Sequence, residues 1–355
     1  MKILILNFKD PKDRDAGGAE QFAERLAVLW TAEGHRVTFF SSRSDGLKRE
    51  ETLAGIQYIR RGSKFTVHDY ARRFLRRNGD TFDFLVEFVS YRPFASHRYV
   101  GGRSITIVLH LYQGQWRTEF KFPLGVFGER VLNPHFVRQL KGARVVAISP
   151  SAAEHLRHQG LEVFDIVEPG HDSPVLQIHR EPPSDVRLLF VGRLVNYKRP
   201  ELAIEAFRLI RERFSNATLD IVGDGYLLET LRACGMDGVR LHGHVSDAEK
   251  FELMSRSSVL MVTSLHEGWG IVATEAAASG LPVVAVDVPG LKDSVIDGCT
   301  GLLAKESAIE IAHATESILE DNDLWCKLSS NGPLVASGLT WTRVAEKVLS
   351  LAKIV

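Results

Sequence analysis

Short apolar runs alternate with amphipathic stretches along most of this chain. Residues 104–109 and 259–263 are two of the apolar runs, and their length and mainly apolar composition without charged residues are typical of buried strands in a parallel sheet. Between such runs, apolar residues recur at helical spacing, as at Phe22, Leu26 and Leu29. The repeated alternation of strand and helix predicts an α/β fold with two doubly wound, Rossmann-like domains facing a cleft.

The pattern is interrupted once, in a polar segment without periodicity. Residues 173–185 include Pro174, Pro182 and Pro183, and we place the domain boundary there. We therefore predict a first domain over residues 1–172 and a second over residues 173–340. Residues 341–355 show the apolar spacing of a separate C-terminal amphipathic helix.

Composition is ordinary for a water-soluble globular chain. Of 355 residues, 45% are hydrophobic and 25% are charged, and no apolar run approaches the roughly 20 residues that span a bilayer. Residues 1–10 predict a first strand, because the apolar part is too short for a signal peptide. Cys234, Cys299 and Cys326 are odd in number and lack paired spacing, which favours a reducing compartment without disulfides or a zinc site. We expect a cytoplasmic protein.

Charge is balanced overall but unevenly distributed. Residues 1–168 contain 26 Lys and Arg against 19 Asp and Glu, and the remainder has the opposite excess. Many of these basic residues lie between Arg60 and Arg77, interleaved with Tyr70 and Phe74 at the spacing of an amphipathic helix. A solvated face is one interpretation. Contact with an anionic membrane or an anionic acceptor is the other. Nucleic acid is not expected, because no nucleic-acid motif accompanies the charges.

The most informative stretch is residues 263–290. A Gly-rich polar turn follows an apolar strand and precedes an Ala-rich helix that begins near residues 270–272. Ligands bind at the carboxyl ends of strands in open α/β sheets, and a helix N-terminus attracts anions. Glu267 lies in the turn, and Glu275 lies eight positions further along. Both carboxylates are candidates for one binding crevice.

Two other strand-to-helix loops carry chemistry suited to phosphates. Arg193 and Lys198 follow the predicted strand 186–191 and precede a helix. A guanidinium fork and a mobile ammonium there can neutralise a leaving diphosphate without a metal. Gly17 and Gly18 precede the first predicted helix, where a glycine pair serves either a tight turn or a phosphate.

The combination resembles a known enzyme family. Gly-Arg with Lys198 five positions later, and Glu-Gly-aromatic-Gly followed by Glu275, resemble the signature of retaining GT-B glycosyltransferases of the family 4 type, also called glycosyl transferases group 1. That family usually has Phe where Trp269 stands. Weaker resemblances are Gly-Gly-Ala-Glu at residues 17–20 and His110 after a strand. The resemblance is vague over residues 44–103.

The resemblance implies a role for each matching residue. Arg193 and Lys198 would bind the diphosphate, and Glu267 and Glu275 would bind the donor sugar and the ribose hydroxyls. His110 would contact the sugar and order the acceptor, and the C-terminal helix would pack on the first domain. The other donor-binding positions implied are Gly17, Gly18, Gly243, His244, Val245, Gly268, Trp269, Gly270 and Ile271.

The implied activity is metal-independent, retaining transfer of a sugar from a UDP- or GDP-sugar, as in hexosyltransferases of class EC 2.4, with no cofactor. The acceptor stays open among a saccharide, a lipid-linked molecule and a natural product. Alternatives are a catalytically idle sugar-nucleotide-binding subunit, a sugar-nucleotide epimerase and a phosphorylase. A dehydrogenase is disfavoured because the first βα turn has no Gly-x-Gly-x-x-Gly. A peripheral position on the inner face of a membrane is the alternative to a purely cytoplasmic location.

Overall fold

The computed structural model describes residues 1–14, 16–90, 92–109, 122–174 and 180–353. The chain forms two compact units: unit 1 comprises Met1–Gly170 with Trp341–Val355, and unit 2 comprises His171–Thr340. Each unit is built on a mainly parallel sheet with helices. The prediction of two parallel-sheet α/β domains is thereby confirmed.

Eight strands of the described residues form the sheet of unit 1, in the order β3-β4-β2-β1-β5-β6-β7-β8. All neighbours are parallel except β3 and β4, which form an antiparallel edge. The centre of the sheet is apolar on both faces, as expected for strands covered by helices. The strands are β1 Lys2–Leu6, β2 Arg36–Ser41, β3 Glu50–Leu53, β4 Ile56–Arg60, β5 Phe84–Val89, β6 Ser104–Val108, β7 Val145–Ala147 and β8 Val163–Ile166.

The helices of unit 1 include the C-terminal segment of the chain. Trp30 in the first helix donates its indole N–H to the Ala345 carbonyl oxygen at 3.2 Å, and the Phe22 and Trp341 rings lie 5.1 Å apart. The last helix therefore contributes to the core of unit 1. The helices are Gly18–Ala32, Val67–Asn78, His97–Val100, Leu124–Phe127, Asn133–Leu140, Pro150–His158 and Trp341–Ala352, with a π-helical turn at Gly128–Leu132 and 3-10 turns at Gly79–Thr81 and Gly101–Arg103.

A buried ionic cluster ties the loop after β1 to β4. Asp10 and Arg60 have no exposed side-chain surface, and the Arg60 Nε donates to the Asp10 carboxylate. Arg60 Nη1 donates to Glu51 at 2.6 Å, and Ser41 donates to Asp10 at 3.2 Å. The prediction that Arg60 belongs to an exposed basic surface is wrong, because its charge is neutralised inside the unit.

A second buried carboxylate shapes the loop after β5. Glu87 accepts hydrogen bonds from the backbone N–H groups of Phe94, Ala95 and Ser96 at 2.6–3.1 Å, and from the Ser96 hydroxyl at 2.6 Å. Burial raises the pKa of Glu87, and these four donors oppose that rise. The chain after β5 is therefore held by one side chain within the strand.

Six strands of the described residues form the sheet of unit 2, all parallel, in the order β11-β10-β9-β12-β13-β14. This is the doubly wound order, in which strands are added first on one side of the first strand and then, from the fourth strand onwards, on its other side. Here the change of side, or switch point, lies between β9 and β12. The strands are β9 Arg187–Val191, β10 Thr218–Val222, β11 Val239–Gly243, β12 Val259–Val262, β13 Val283–Val286 and β14 Gly301–Ala304.

The segment that enters unit 2 is anchored by Arg180. Its guanidinium donates to the carbonyl oxygens of Ser255, Ser257 and Gly280 at 2.6–3.1 Å. These carbonyls end two helices, where a cation is favoured. Burial lowers the pKa of Arg180 to about 10. The helices of unit 2 are Pro200–Arg213, Leu228–Ala233, Asp247–Arg256, Ile271–Ala278, Leu291–Ser294, Ala308–Glu320 and Asn322–Ala336, with a 3-10 turn at Asn196–Lys198.

None of the helices within the described ranges is both long enough and apolar enough to cross a bilayer.

Candidate active site

The loop after β9 presents two basic side chains at the switch point of unit 2. Arg193 is exposed, donates to the Tyr197 hydroxyl and lies 5.6 Å from the centre of the Tyr197 ring. Lys198 ends the 3-10 turn. The next residue, Arg199, has a backbone φ of +53°, in the left-handed region that residues other than glycine rarely adopt. Pro200 then starts the next helix. Arg193 and Lys198 therefore both lie in the connection between the carboxyl end of β9 and the next helix.

The loop after β12 meets this turn. Thr263 donates its hydroxyl to the Lys198 carbonyl oxygen at 2.9 Å, and the Leu265 N–H donates to the Tyr197 carbonyl oxygen at 2.8 Å. These bonds bring the Lys198 ammonium to the Glu267 carboxylate, which also accepts from the Ser264 hydroxyl at 2.7 Å. The two loops of the switch point thus form one polar cluster.

The pair of Lys198 and Glu267 is largely shielded from water, with 18% and 12% of the side chains exposed. Burial by itself lowers the pKa of Lys198, but the adjacent Glu267 charge and hydrogen bond more than offset this, so the pKa lies above its ordinary value. Lys198 is therefore a permanent cation at neutral pH. A group of this kind suits binding of a phosphate.

Backbone geometry brings the Gly-rich turn close to the next loop. Gly270 has a φ of +93° and precedes the helix Ile271–Ala278, as the Gly-rich pattern predicted. A Cβ on Gly290 would lie 2.4 Å from the Glu267 carbonyl oxygen. Trp269 is buried, and its indole N–H donates to the Thr274 hydroxyl at 2.9 Å. Trp269 therefore supports the turn from inside, and Gly268 is only partly buried.

Glu275 lies in the helix Ile271–Ala278 and is 5% exposed at its side chain. Its carboxylate oxygen Oε1 accepts from the Lys250 ammonium at 2.8 Å, and Lys250 also reaches Asp247 at 3.1 Å. Burial raises the pKa of Glu275, and Lys250 opposes that rise. Glu275 and Glu267 thus have different cationic partners, one before β12 and one after β9.

The turn after β11 lies at the same end of the sheet. Gly243 is the last residue of β11, His244 is exposed and Val245 is half-buried. Ser246 then caps the helix Asp247–Arg256 by accepting from the Glu249 N–H at 3.3 Å. Lys250 is carried by that helix, so the predicted nucleobase turn and the partner of Glu275 belong to one local structure.

The candidate residues of the first domain belong to unit 1. Gly17 and Gly18 follow the loop after β1, and Gly18 begins the helix Gly18–Ala32. The Gly17 N–H donates to the Glu20 carboxylate at 2.9 Å, so this N–H already has a partner. His110 lies outside the described residues.

Sequence reasoning did not single out Tyr197, Ser264 or Lys250. Tyr197 and Ser264 lie inside the two recognised motifs, so their positions in the sequence could have indicated a role at the site. No sequence pattern marks Lys250, because it lies in a helix with the charge pattern of an ordinary surface helix. Among the described residues, no group of three or more His, Cys, Asp and Glu side chains is arranged to hold a metal ion.

The strand orders and the position of the polar cluster define the class of the protein, which is a GT-B fold of two Rossmann-like units. Sucrose-phosphate synthase from Thermosynechococcus elongatus has a similar structure, with a TM-score of 0.78 at 20% identity over 99% of this chain and 98% of that one. HepE from Anabaena, solved with UDP and glucose, gives 0.75 at 18% identity over the full length of both chains.

Family models match both halves of the chain. Residues 16–173 match glycosyltransferase family 4, and residues 175–335 match glycosyl transferases group 1, so the chain belongs to the family 4, group 1 glycosyltransferases. D-inositol 3-phosphate glycosyltransferase of Arthrobacter sp. (strain FB24) is 32% identical over 60% of this chain and 56% of its own. Glycogen synthase of Mycobacterium tuberculosis (strain H37Rv) is 32% identical over 46% and 41%. The chain spans about half the length of the curated relatives it matches.

Proposed function

We propose that this protein is a retaining, metal-independent glycosyltransferase that moves a sugar from a UDP- or GDP-sugar to a hydroxyl group. The observation that carries the proposal is the cluster of Arg193, Lys198 and Glu267 at the switch point of unit 2. In a nucleotide-diphosphate sugar, the outer phosphate is bonded directly to the sugar. Lys198, a cation that can bind the phosphate, lies beside Glu267, a carboxylate that can bind sugar hydroxyls. The two side chains are therefore adjacent, as the phosphate and the sugar are in the donor.

Transfer breaks the bond between the anomeric carbon and the diphosphate oxygen. Negative charge grows on the leaving diphosphate, where Lys198, Arg193 and the N-terminus of the helix Ile271–Ala278 stabilise it. Glu267 binds the sugar hydroxyls, and Glu275 binds the ribose hydroxyls. The cations and the helix N-terminus act on the transition state more than on the substrate, because the charge that they stabilise develops during transfer, whereas the ribose contact is the same in both states.

Retention requires the new bond to form on the face that the diphosphate leaves. We assign no side-chain nucleophile. The acceptor oxygen bonds to the anomeric carbon, and its proton passes to an oxygen of the departing phosphate. Each bond broken is matched by one formed, so the step needs no redox cofactor. In this proposal Lys198 and Arg193 neutralise the charge of the leaving diphosphate, which is the task that a metal ion would otherwise perform.

The acceptor in this proposal is a compound that carries a free hydroxyl group. Relatives of the chain are named for an inositol phosphate and for glycogen, which are both rich in hydroxyl groups. A saccharide or a lipid-linked saccharide fits that chemistry, and a natural-product alcohol is the remaining class.

Donor binding is the first expected result. A thermal-shift screen of UDP- and GDP-sugars should identify at least one that stabilises the protein, by about 2.7 kcal/mol at 100 times its Kd. The same screen with NAD is the control, because it fills a different type of site. If no nucleotide sugar stabilises the protein, donor binding is refuted.

Turnover separates the enzyme from its alternatives. Once the donor is identified, we expect slow hydrolysis of the donor without an acceptor and formation of a glycoside with one. NMR of the glycoside should show the same anomeric configuration as in the donor. An idle binding subunit would release no nucleoside diphosphate. An epimerase would convert the donor to an isomeric sugar without acceptor.

We also propose peripheral contact with anionic membranes through the Arg60–Arg77 region, without Arg60. The helix Val67–Asn78 exposes Arg73, Arg76 and Arg77. Phe65, just before it, is 77% exposed. Cations beside an exposed aromatic ring suit the surface of an anionic bilayer.

Vesicle flotation tests the membrane contact. Arg76→Glu/Arg77→Glu should weaken binding to phosphatidylserine vesicles roughly 30-fold, at about 1 kcal/mol for each basic residue lost. Lys141→Glu/Arg157→Glu, which reverses two exposed charges elsewhere in unit 1, should have a smaller effect. Equal loss in both variants would show attraction by net charge alone. Absence of binding by the parent protein would end the proposal.

A further inference from the structure

Glu275 is the most deeply buried of the proposed donor-binding carboxylates. Its side chain is 5% exposed, and the two helices that carry Glu275 and Lys250 are separated in the chain by β12. A buried carboxylate is favoured in its neutral form unless a cation compensates for the lost hydration. A neutral carboxyl would accept hydrogen bonds poorly.

Lys250 supplies that compensation from the helix Asp247–Arg256. Its ammonium contacts Oε1 of Glu275 at 2.8 Å, and only 13% of the Lys250 side chain is exposed. Within the described part of the chain, no hydrogen bond reaches Oε2 of Glu275. One carboxylate oxygen is therefore used by the protein, and the other is left to accept from a ligand.

The remaining charges around Glu275 act against it. Asp247, on the same helix as Lys250, and Asp172, in the segment that precedes β9, both raise the pKa of Glu275. The Ser173 hydroxyl donates to the Glu275 backbone carbonyl at 3.1 Å, not to its carboxylate. Among the residues that the structure describes, Lys250 is thus the cation that contacts this carboxylate, and two anions oppose it.

We propose that Lys250 is a positioning residue for the nucleotide: it holds Glu275 ionised and aligned so that Oε2 accepts a ribose hydroxyl. The inference rests on the proposed function, because it needs a nucleotide sugar as ligand. It also connects two parts of that site. The helix that carries Lys250 begins directly after the predicted nucleobase turn at Gly243, His244 and Val245.

The inference predicts a pH-dependent defect when the cation is removed. In Lys250→Met, burial and the two aspartates act unopposed, so the pKa of Glu275 rises further. The ionised fraction of Glu275 then falls as the pH is lowered, so the donor Kd rises at the acid end of the range by about 10- to 100-fold, as for loss of a hydrogen bond to a charged group. Binding recovers as the pH is raised, because a group with a raised pKa regains its charge on the alkaline side.

The test is isothermal titration calorimetry with the UDP- or GDP-sugar that the parent protein binds, at pH values from 6 to 9. Lys250→Arg should bind almost as the parent does. The double variant Lys250→Met/Glu275→Gln lacks the carboxyl whose pKa is raised, so its binding should be weakened without the additional pH dependence of Lys250→Met. Lys327→Met removes an exposed lysine of unit 2 and should change nothing. Circular dichroism checks that each variant is folded.

Two results overturn the inference. One is an unchanged donor Kd in Lys250→Met across the pH range. The other is a loss of binding that is equal at every pH, which indicates a role for Lys250 in packing alone. Failure of the parent protein to bind any nucleotide sugar is a different result, since it refutes the proposed function.

Discussion

Lys198→Ala is expected to lower kcat for sugar transfer about 10²- to 10³-fold, the range seen when one preorganised donor to a developing anion is removed. The ammonium is a permanent cation between two loops, and its loss leaves charge on the departing diphosphate unbalanced. Steady-state transfer with the donor found in the screen measures the effect. Turnover near the parent value would show that Lys198 does not bind the diphosphate.

Glu267 makes a second variant necessary. Within the part of the chain that the structure describes, removing Lys198 leaves the Glu267 carboxylate with the Ser264 hydroxyl as its hydrogen-bond donor. Part of the loss of activity can therefore come from a disturbed loop. Lys198→Arg keeps the charge with a different shape and should retain more activity than Lys198→Ala. Lys198→Met/Glu267→Gln removes both charges. If that double variant regained activity, the effect of Lys198→Ala would belong to the ion pair and not to the substrate.

Asp10→Ala is expected to destabilise unit 1 by about 3–5 kcal/mol, because it removes one partner of a fully buried ion pair. Arg60 would keep Glu51 as its remaining carboxylate, at 2.6 Å. The loop after β1 would lose its bonds to Ser41 and to the Lys12 N–H. Hydrogen exchange of the β1 and β4 amides measures the change within unit 1, where global unfolding need not be two-state.

An exposed pair in the same unit provides the control. Arg103 and Asp80 lie 2.8 Å apart, but 96% of the Asp80 side chain is exposed. Asp80→Ala should cost less than about 1 kcal/mol, as for surface ion pairs. Asp10→Ala/Arg60→Met removes both buried charges and should recover much of the lost stability. Equal effects of Asp10→Ala and Asp80→Ala would contradict the burial argument.

The strands and helices of the fold could be predicted from the local pattern of hydrophobic residues. Apolar runs such as residues 259–263 correspond to buried strands like β12, and the Gly-rich turn before the helix Ile271–Ala278 is where the pattern placed it. These predictions succeeded because strand burial and helix spacing repeat over a few residues. The resemblance to the family 4 glycosyltransferases rested on the same short motifs, and the family models confirm it.

The partners of charged side chains could not be predicted from local sequence pattern. Arg60 was counted with the exposed cations, but it is buried against Asp10, 50 positions earlier in the chain. Lys250 gave no sign of its contact with Glu275, 25 positions later. Both contacts depend on how strands and helices pack, and an isolated charge in a sequence does not show whether it will be buried.

Sequence by itself therefore determined the α/β class of this protein, the family, and which loops carry the polar residues proposed to bind a nucleotide sugar. Tertiary structure alone decided that Lys198 meets Glu267, that Lys250 meets Glu275, and that Arg60 is withdrawn from the surface. The physical reason is the distance along the chain over which each property is determined. Secondary structure follows from hydrophobic periodicity within a dozen residues, whereas the charge state and orientation of a side chain follow from neighbours that only folding brings together.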